Sequence, residues 1–187
     1  MKSLKNLANR PAAAPLAADD ILEFHAGRLL LLLSTCGGTT GTINGLTKMA
    51  KLDFFVRYPD FFSAALTEGL RRKAVRTDAV EAAMVRHHYG PWDKRYYHIL
   101  AYLESRRLIK VIMTGKTRRI GLTAHGKAAA KKLLEKEAFS DVIGHMRNVN
   151  EALGSKTGNE LKIMIYDLFD EEVADQPLGQ VISGVRK

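Results

Sequence analysis

The stretch "WDKRYYHILAYLESRRLIKVIMTGKTRRIGLTAHGKAAA" sets a helical stripe, two β-branched runs and a second helix end to end. That order constrains the fold more than any other feature of the chain. Asp93 is a good N-cap, and Tyr96, Ile99, Leu100 and Leu103 follow it at i, i+3, i+4, i+7 spacing, which predicts a helix with one buried face. "LIKVIMT" and "RRIGLT" are separated by Gly115-Lys116, and Gly at the first central position of a two-residue loop is the signature of a type II′ hairpin. Thr123 then caps a helix read as continuous through Leu153, with Phe139, Val142, Met146, Val149 and Leu153 at three- and four-residue steps that make a seam for another helix. Helices followed by helix, hairpin and helix give the order of a winged-helix domain. The predicted class is therefore mainly α: a winged-helix domain with a β-hairpin wing and additional helices.

The remaining segments fill in around this unit. Residues 1–19, rich in Ala and Pro, read as a disordered tail without the apolar core of a signal peptide. After Asp19-Asp20, expected N-caps, a nearly all-apolar helix with "LLLLL" at Leu29 to Leu33 runs to Gly37-Gly38; it is far too short to span a bilayer. "GGTTGTING" reads as a loop, and "LTKMAKLDFFVRY" as an amphipathic helix ended by Pro59. Residues 60–88 read as two further helical pieces, Phe61 to Leu70 and Asp78 to His87, broken by Gly90-Pro91. About 35 residues thus separate the second helix from the one at Asp93, far more than the turn of a simple helix-turn-helix. "NELKIMIYDLF" is a last amphipathic helix on Leu161, Met164, Ile165 and Leu168. The predicted organisation is a tail at 1–19, a winged-helix domain with a helical insertion at 20–153, and a partner-binding helix and tail at 154–187.

Charge is concentrated in one quarter of the chain. The formal net charge is +9, and residues 71–119 alone hold 13 Lys/Arg against 4 Asp/Glu. A cationic segment of this kind attracts a polyanion, because each phosphate it neutralises releases a condensed counterion. Catalytic patterns are missing by comparison. "MTGKT" lacks the first glycine of a phosphate-binding loop, the six histidines do not fall at metal-ligand spacing, and no nucleophile has a base and an orienting third group beside it. No enzyme, metal or cofactor is expected. The single cysteine, Cys36, excludes an internal disulfide and suits a reducing cytoplasm.

The expected DNA-binding set is Arg71 and Arg72 in the basic segment, Arg95, His98 and Arg106 on the outer face of the Asp93 helix, and Lys116, Arg118 and Arg119 at the hairpin tip. A helix in or over the major groove, with the wing on adjacent phosphates, would use them together. Trp92 reads better as a packing residue than as a base-stacking one. Tyr89, Trp92, Tyr97, Met164, Ile165, Leu168 and Phe169 are the expected partner-binding residues, since their segments carry more apolar and aromatic groups than one small core needs.

"RLLLLLSTCGG", "GLTKMAKLDFFVRYPDFF", "MVRHHYGPWDKRYYHILAYLESRRLI" and "GSKTGNELKIMIYDLF" together resemble the small winged-helix middle component of three-component ABC-ATPase defence systems, the Lamassu-like systems of bacteria. The resemblance covers roughly residues 20 to 185. It implies a non-catalytic subunit that helps an SMC/Rad50-like ATPase and an effector, often a nuclease, to assemble on or sense double-stranded DNA of phage or plasmid. It supplies no catalytic residues, and it implies packing or partner surfaces at Tyr89 to Tyr97 and Glu160 to Phe169. The alternative is a stand-alone winged-helix transcriptional regulator, for which the hairpin and basic helix would suffice.

Overall fold

The computed structural model describes residues 20–67, 85–87 and 90–168. Among these the chain is mainly helical, with a small three-stranded antiparallel sheet. The first helix, α1 (Leu22–Cys36), has no polar side over its leucine run, so it can only be central: Leu29 to Leu33 are all buried, and α2, α4, α5, α6 and the sheet pack around it. Its N-cap position is Ile21, one residue past Asp20, and Ile21 offers no side-chain cap; Asp19 lies outside the described residues.

Two segments differ from their sequence reading near here. The glycine-rich loop contains a strand, β1 (Thr42–Asn44), too short to show a period of two. The helix α2 (Leu46–Arg57) is not amphipathic in place, because every residue from Met49 to Tyr58 is buried, Lys51, Asp53 and Arg57 included. Pro59 ends α2 and opens α3 (Pro59–Leu66), where a missing N–H costs nothing. Phe54, Tyr58 and Phe61 stack edge-on or tilted at centroid distances of 5.1–5.8 Å and lock the α2–α3 corner.

The helix expected over Asp78 to His87 is corrected at its end: Val85–His87 is a strand, β2, paired antiparallel with β3 (Gly90–Trp92). Residues 78–84 lie outside the described residues. Next comes α4 (Tyr96–Ser105), whose stripe of Tyr96, Ile99, Leu100 and Leu103 is buried as expected. The N-cap position of α4 is Arg95 rather than the expected Asp93, which instead accepts from the Arg95 backbone N–H at 2.9 Å in the turn leading into the helix. At the other end Arg107 adopts φ 57°, and Leu108 N donates to Leu103 O, a left-handed close that turns the chain straight into the hairpin.

The hairpin is β4 (Ile109–Thr114) and β5 (Thr117–Leu122), in the register Thr114↔Thr117. Gly115 has φ 60° while Lys116 does not go positive, which fits a II′ turn. β1 adds to β5, so the sheet order is β1–β5–β4, and Ile43, Ile120 and Val111 form one cross-strand row facing α1 and α2. Thr123 accepts from Gly126 N and starts α5 (Ala124–Leu134). Only glycine fits at 126, since a Cβ there would lie 1.8 Å from Leu108 O.

The long helix expected from Thr123 to Leu153 is two helices. It breaks after Leu134, passes through a single 3-10 turn and resumes as α6 (Ser140–Leu153), which packs on α1 and α2 through Ile143, Met146, Val149 and Leu153. The seam was a real one, and its partner lies in the same chain. α7 (Gly158–Leu168) lies along α2 and sinks Leu161 and Ile165 into the same core, so this helix is part of the main body rather than a separate unit.

Candidate nucleic-acid interface

The expected basic residues divide into two groups with opposite environments. Lys116, Arg118 and Arg119 are exposed at the free end of the β4–β5 hairpin, where the strands run beyond the row that faces the core. Arg119 donates to Asn44 Oδ1 at 3.1 Å, which fixes its direction on the β1 side without burying it. His98 is exposed on α4 and Arg106 at its C-cap, and the Arg106 guanidinium lies 5.4 Å from the centre of the Tyr102 ring. Arg106 stands at the base of the hairpin and Lys116 at its tip, separated by the six residues of β4, about 20 Å.

Arg95 does not join this set. Its guanidinium turns back to Asp93, with Nε to Oδ1 at 2.9 Å and NH2 to Oδ2 at 2.7 Å, and it also meets His25 Nε2 at 2.7 Å. The reason is a partner rather than the backbone: Arg95 has helical dihedrals at the N-cap of α4, and Asp93 and His25 hold its guanidinium against the core edge. Arg71 and Arg72 lie outside the described residues.

Beneath Arg95 runs a buried ionic network that the sequence reading missed. Arg28 on α1 forks onto Asp53 on α2, with Nε to Oδ1 at 2.9 Å and NH2 to Oδ2 at 3.2 Å, and Tyr96 on α4 donates its hydroxyl to Asp53 Oδ2 at 2.7 Å. Arg57 donates to Asp93 Oδ2 at 2.9 Å. His25 bridges the two halves, facing Arg28 NH1 through Nδ1 and Arg95 NH1 through Nε2. A neutral imidazole accepts at only one of its nitrogens, so its tautomer selects which guanidinium it bonds. These contacts tie together α1, α2, β3 and the start of α4. They orient the helix that carries the hairpin.

Burial sets the acid–base behaviour of this network. Burial alone would raise the Asp93 carboxyl, but hydrogen bonds from the Arg95 side chain and backbone, with Arg57 nearby, hold its pKa at about 2. Tyr96 is pushed well above the phenol range by burial and then by the Asp53 charge. Lys51, whose ammonium donates to Pro91 O at 2.9 Å, is drawn down to about 7 by burial, with a smaller contribution from Lys162. The Cys36 thiol rises to about 12, chiefly by burial, which makes it a poor nucleophile.

The expected partner-binding residues are also divided by burial. Trp92 is 6% exposed and packs edge-on to Tyr96 at 5.3 Å, whereas Tyr97 is 58% exposed. On α7, Ile165 is fully buried and is corrected from partner surface to core; Met164 and Leu168 are partly buried against that core. The outward apolar residue of α7 is Ile163, which the sequence reading did not single out. Tyr89 and Phe169 lie outside the described residues. Among the described residues no three His, Cys, Asp or Glu side chains converge as a metal site, and no helix is long and apolar enough to cross a membrane. No protein-family model matches the chain, and no curated protein is significantly similar to it in sequence.

Proposed function

We propose that this chain is a winged-helix protein that engages double-stranded DNA, and that it does so as a non-catalytic subunit of a cytoplasmic SMC-like ATPase complex in bacterial defence. In this reading α1, β1, α2, α4, β4 and β5 form the winged-helix core, with β4–β5 as the wing. The sheet order β1–β5–β4 fits that arrangement. α3 and the β2–β3 hairpin are then an insertion between α2 and α4, which accounts for the long gap between those helices. The DNA part is carried by one observation: Lys116, Arg118 and Arg119 are exposed together at a free hairpin tip.

The assembly part rests on the sequence resemblance, and the SMC/Rad50-like ATPase and the effector are its proposed partners. Tyr97 and Ile163 are among the exposed apolar side chains on offer to them.

Replacing Lys116, Arg118 and Arg119 with Ala should weaken duplex binding and flatten the slope of log affinity against log salt by up to about 2.7, if each side chain neutralises one phosphate. Unchanged affinity and slope across the titration rules the tip out as a DNA contact. Co-purification with a large ATPase tests the assembly. A two-fold dimer that binds paired half-sites and pulls down no ATPase would mark a stand-alone regulator instead.

A further inference from the structure

The hairpin tip carries the same pair of chemistries on both of its faces. Ile112 is paired with Arg119 and Met113 with Arg118. Neighbours along a strand point to opposite faces and cross-strand partners to the same one. One face therefore carries Lys110, then Ile112 opposite Arg119, and ends in Thr114 opposite Thr117, and the other ends in Met113 and Arg118. Ile112 is 56% and Met113 58% exposed, although both are large and apolar. A ribbon that lies on a flat surface uses one face. A ribbon with an apolar and a cationic group on each face suits a slot with two anionic walls.

The outward residues of α4 have different chemistry. Between its ends Tyr97, His98, Ala101, Glu104 and Ser105 are exposed, and they include a carboxylate that accepts from Val111 N but no Lys or Arg; the exposed cations Lys94, Arg106 and Arg107 stand just outside the helix at its two ends. Laid in a groove between two rows of phosphates, this face would bring Glu104 among like charges.

We infer that the β4–β5 hairpin enters the major groove of B-form DNA as a two-stranded ribbon, while the outward face of α4 stays off the bases. Arg118 and Arg119 reach the phosphates of opposite groove walls, and Ile112 and Met113 meet base edges, for which thymine methyls are the natural apolar partners. The inference rests on the DNA-binding reading and goes beyond it by naming the groove and the element that enters it. The dimensions agree. A β layer with its side chains is about 10 Å thick, which fits a major groove about 12 Å wide and not a minor groove of about 6 Å. Past Arg119, the last β5 residue paired with β1, the two-stranded ribbon extends by two residue pairs, about 7 Å, against a groove depth of about 8.5 Å.

The test uses the full chain and four duplex conditions read by fluorescence anisotropy. These are a plain DNA duplex, the same duplex with glucosylated 5-hydroxymethylcytosine filling its major groove, the same sequence as duplex RNA, and the plain duplex with netropsin in the minor groove. Binding should fall by about tenfold or more on the glucosylated duplex and on RNA, whose major groove is too narrow, and should be indifferent to netropsin. Ile112→Ser with Met113→Ser should weaken binding by about tenfold and leave the salt slope unchanged, since no charge is removed. Tyr97→Ser, His98→Ala and Glu104→Gln together should change affinity by less than about twofold.

Equal binding to plain and glucosylated duplexes with displacement by netropsin overturns the inference and leaves the DNA reading standing. So does an α4 variant that loses binding where the ribbon variant keeps it. If the Ile112 and Met113 substitutions instead spare DNA and abolish capture of a protein partner, the exposed pair is a protein contact and the inference fails. No binding to any duplex at low salt removes the DNA reading and the inference together.

Discussion

The arginines of α1, α2 and the start of α4 and those of the β4–β5 hairpin are the same residue type put to opposite uses. Arg28, Arg57 and Arg95 are committed to Asp53, Asp93 and His25 inside or at the edge of the core. Arg118 and Arg119 stand in solvent on a ribbon that adds little to the core beyond Ile109 and Ile120. Inside, each cation lost its hydration shell and is held by a fixed anion, so removing one partner strands the other. At the tip the cation keeps its water, contributes little to folding, and is free to exchange that water for a phosphate. The comparison teaches that the positive excess of the chain is not one resource. Part of it joins helices, and only the rest can attract a polyanion.

Breaking the inner set should have the largest effect on stability. Asp53→Ala leaves the buried Arg28 guanidinium and the Tyr96 hydroxyl without their shared acceptor, and should destabilise the fold by about 3–5 kcal/mol in denaturant titrations. Affinity per folded molecule for duplex DNA should be unaffected. A loss under about 1 kcal/mol would mean that the network is not a structural joint.

Acid sharpens the same contrast with a smaller effect. Asp93 has its folded-state pKa lowered from 3.8 to about 2, so the stability it contributes is fully present above 3.8 and is lost as pH falls through 2. The loss over that window should be roughly 2 kcal/mol, and Asp93→Asn should remove that part of the acid sensitivity. An unchanged stability–pH curve in the Asn variant would place the acid-sensitive group elsewhere.

Much of the fold was legible because it depends on local pattern. The α4 stripe, the II′ hairpin with Gly115 and the Thr123 cap are each written in adjacent residues, and they stand as read. What could not be read depends on distant partners. β1 is three residues long and becomes a strand only because β5 offers it an edge. α2 looked amphipathic because Leu46, Met49, Leu52 or Phe55, and Val56 fall at helical spacing, and nothing local reveals that Pro91 O, Arg28 and Asp93 wait opposite Lys51, Asp53 and Arg57. The break at Glu135 and Lys136 carries no Gly or Pro to announce it. At the candidate interface the hairpin cations followed from the turn, whereas Arg95 was misplaced because a helical wheel does not show that Asp93 and His25 hold its guanidinium.

The smallest and most direct comparison sets Arg95→Ala against Arg118→Ala. Arg95 is 32% exposed and makes charged hydrogen bonds to a carboxylate that is otherwise buried, so its removal should cost about 1–2 kcal/mol of stability, discounted from a fully buried pair because solvent still reaches the guanidinium. It should leave the salt slope of DNA binding where it was. Arg118 has no such partner across the strand, where Met113 stands, so its removal should change stability by less than about 0.5 kcal/mol and lower the slope by about one unit. The two substitutions remove the same charge from the same chain, and net charge alone would give them equal effects on affinity. Crossed outcomes, stability from one and salt dependence from the other, would show that position rather than total charge decides which arginines meet DNA. Equal slopes for both would return the binding to a diffuse field around a basic protein and take the hairpin out of its privileged place.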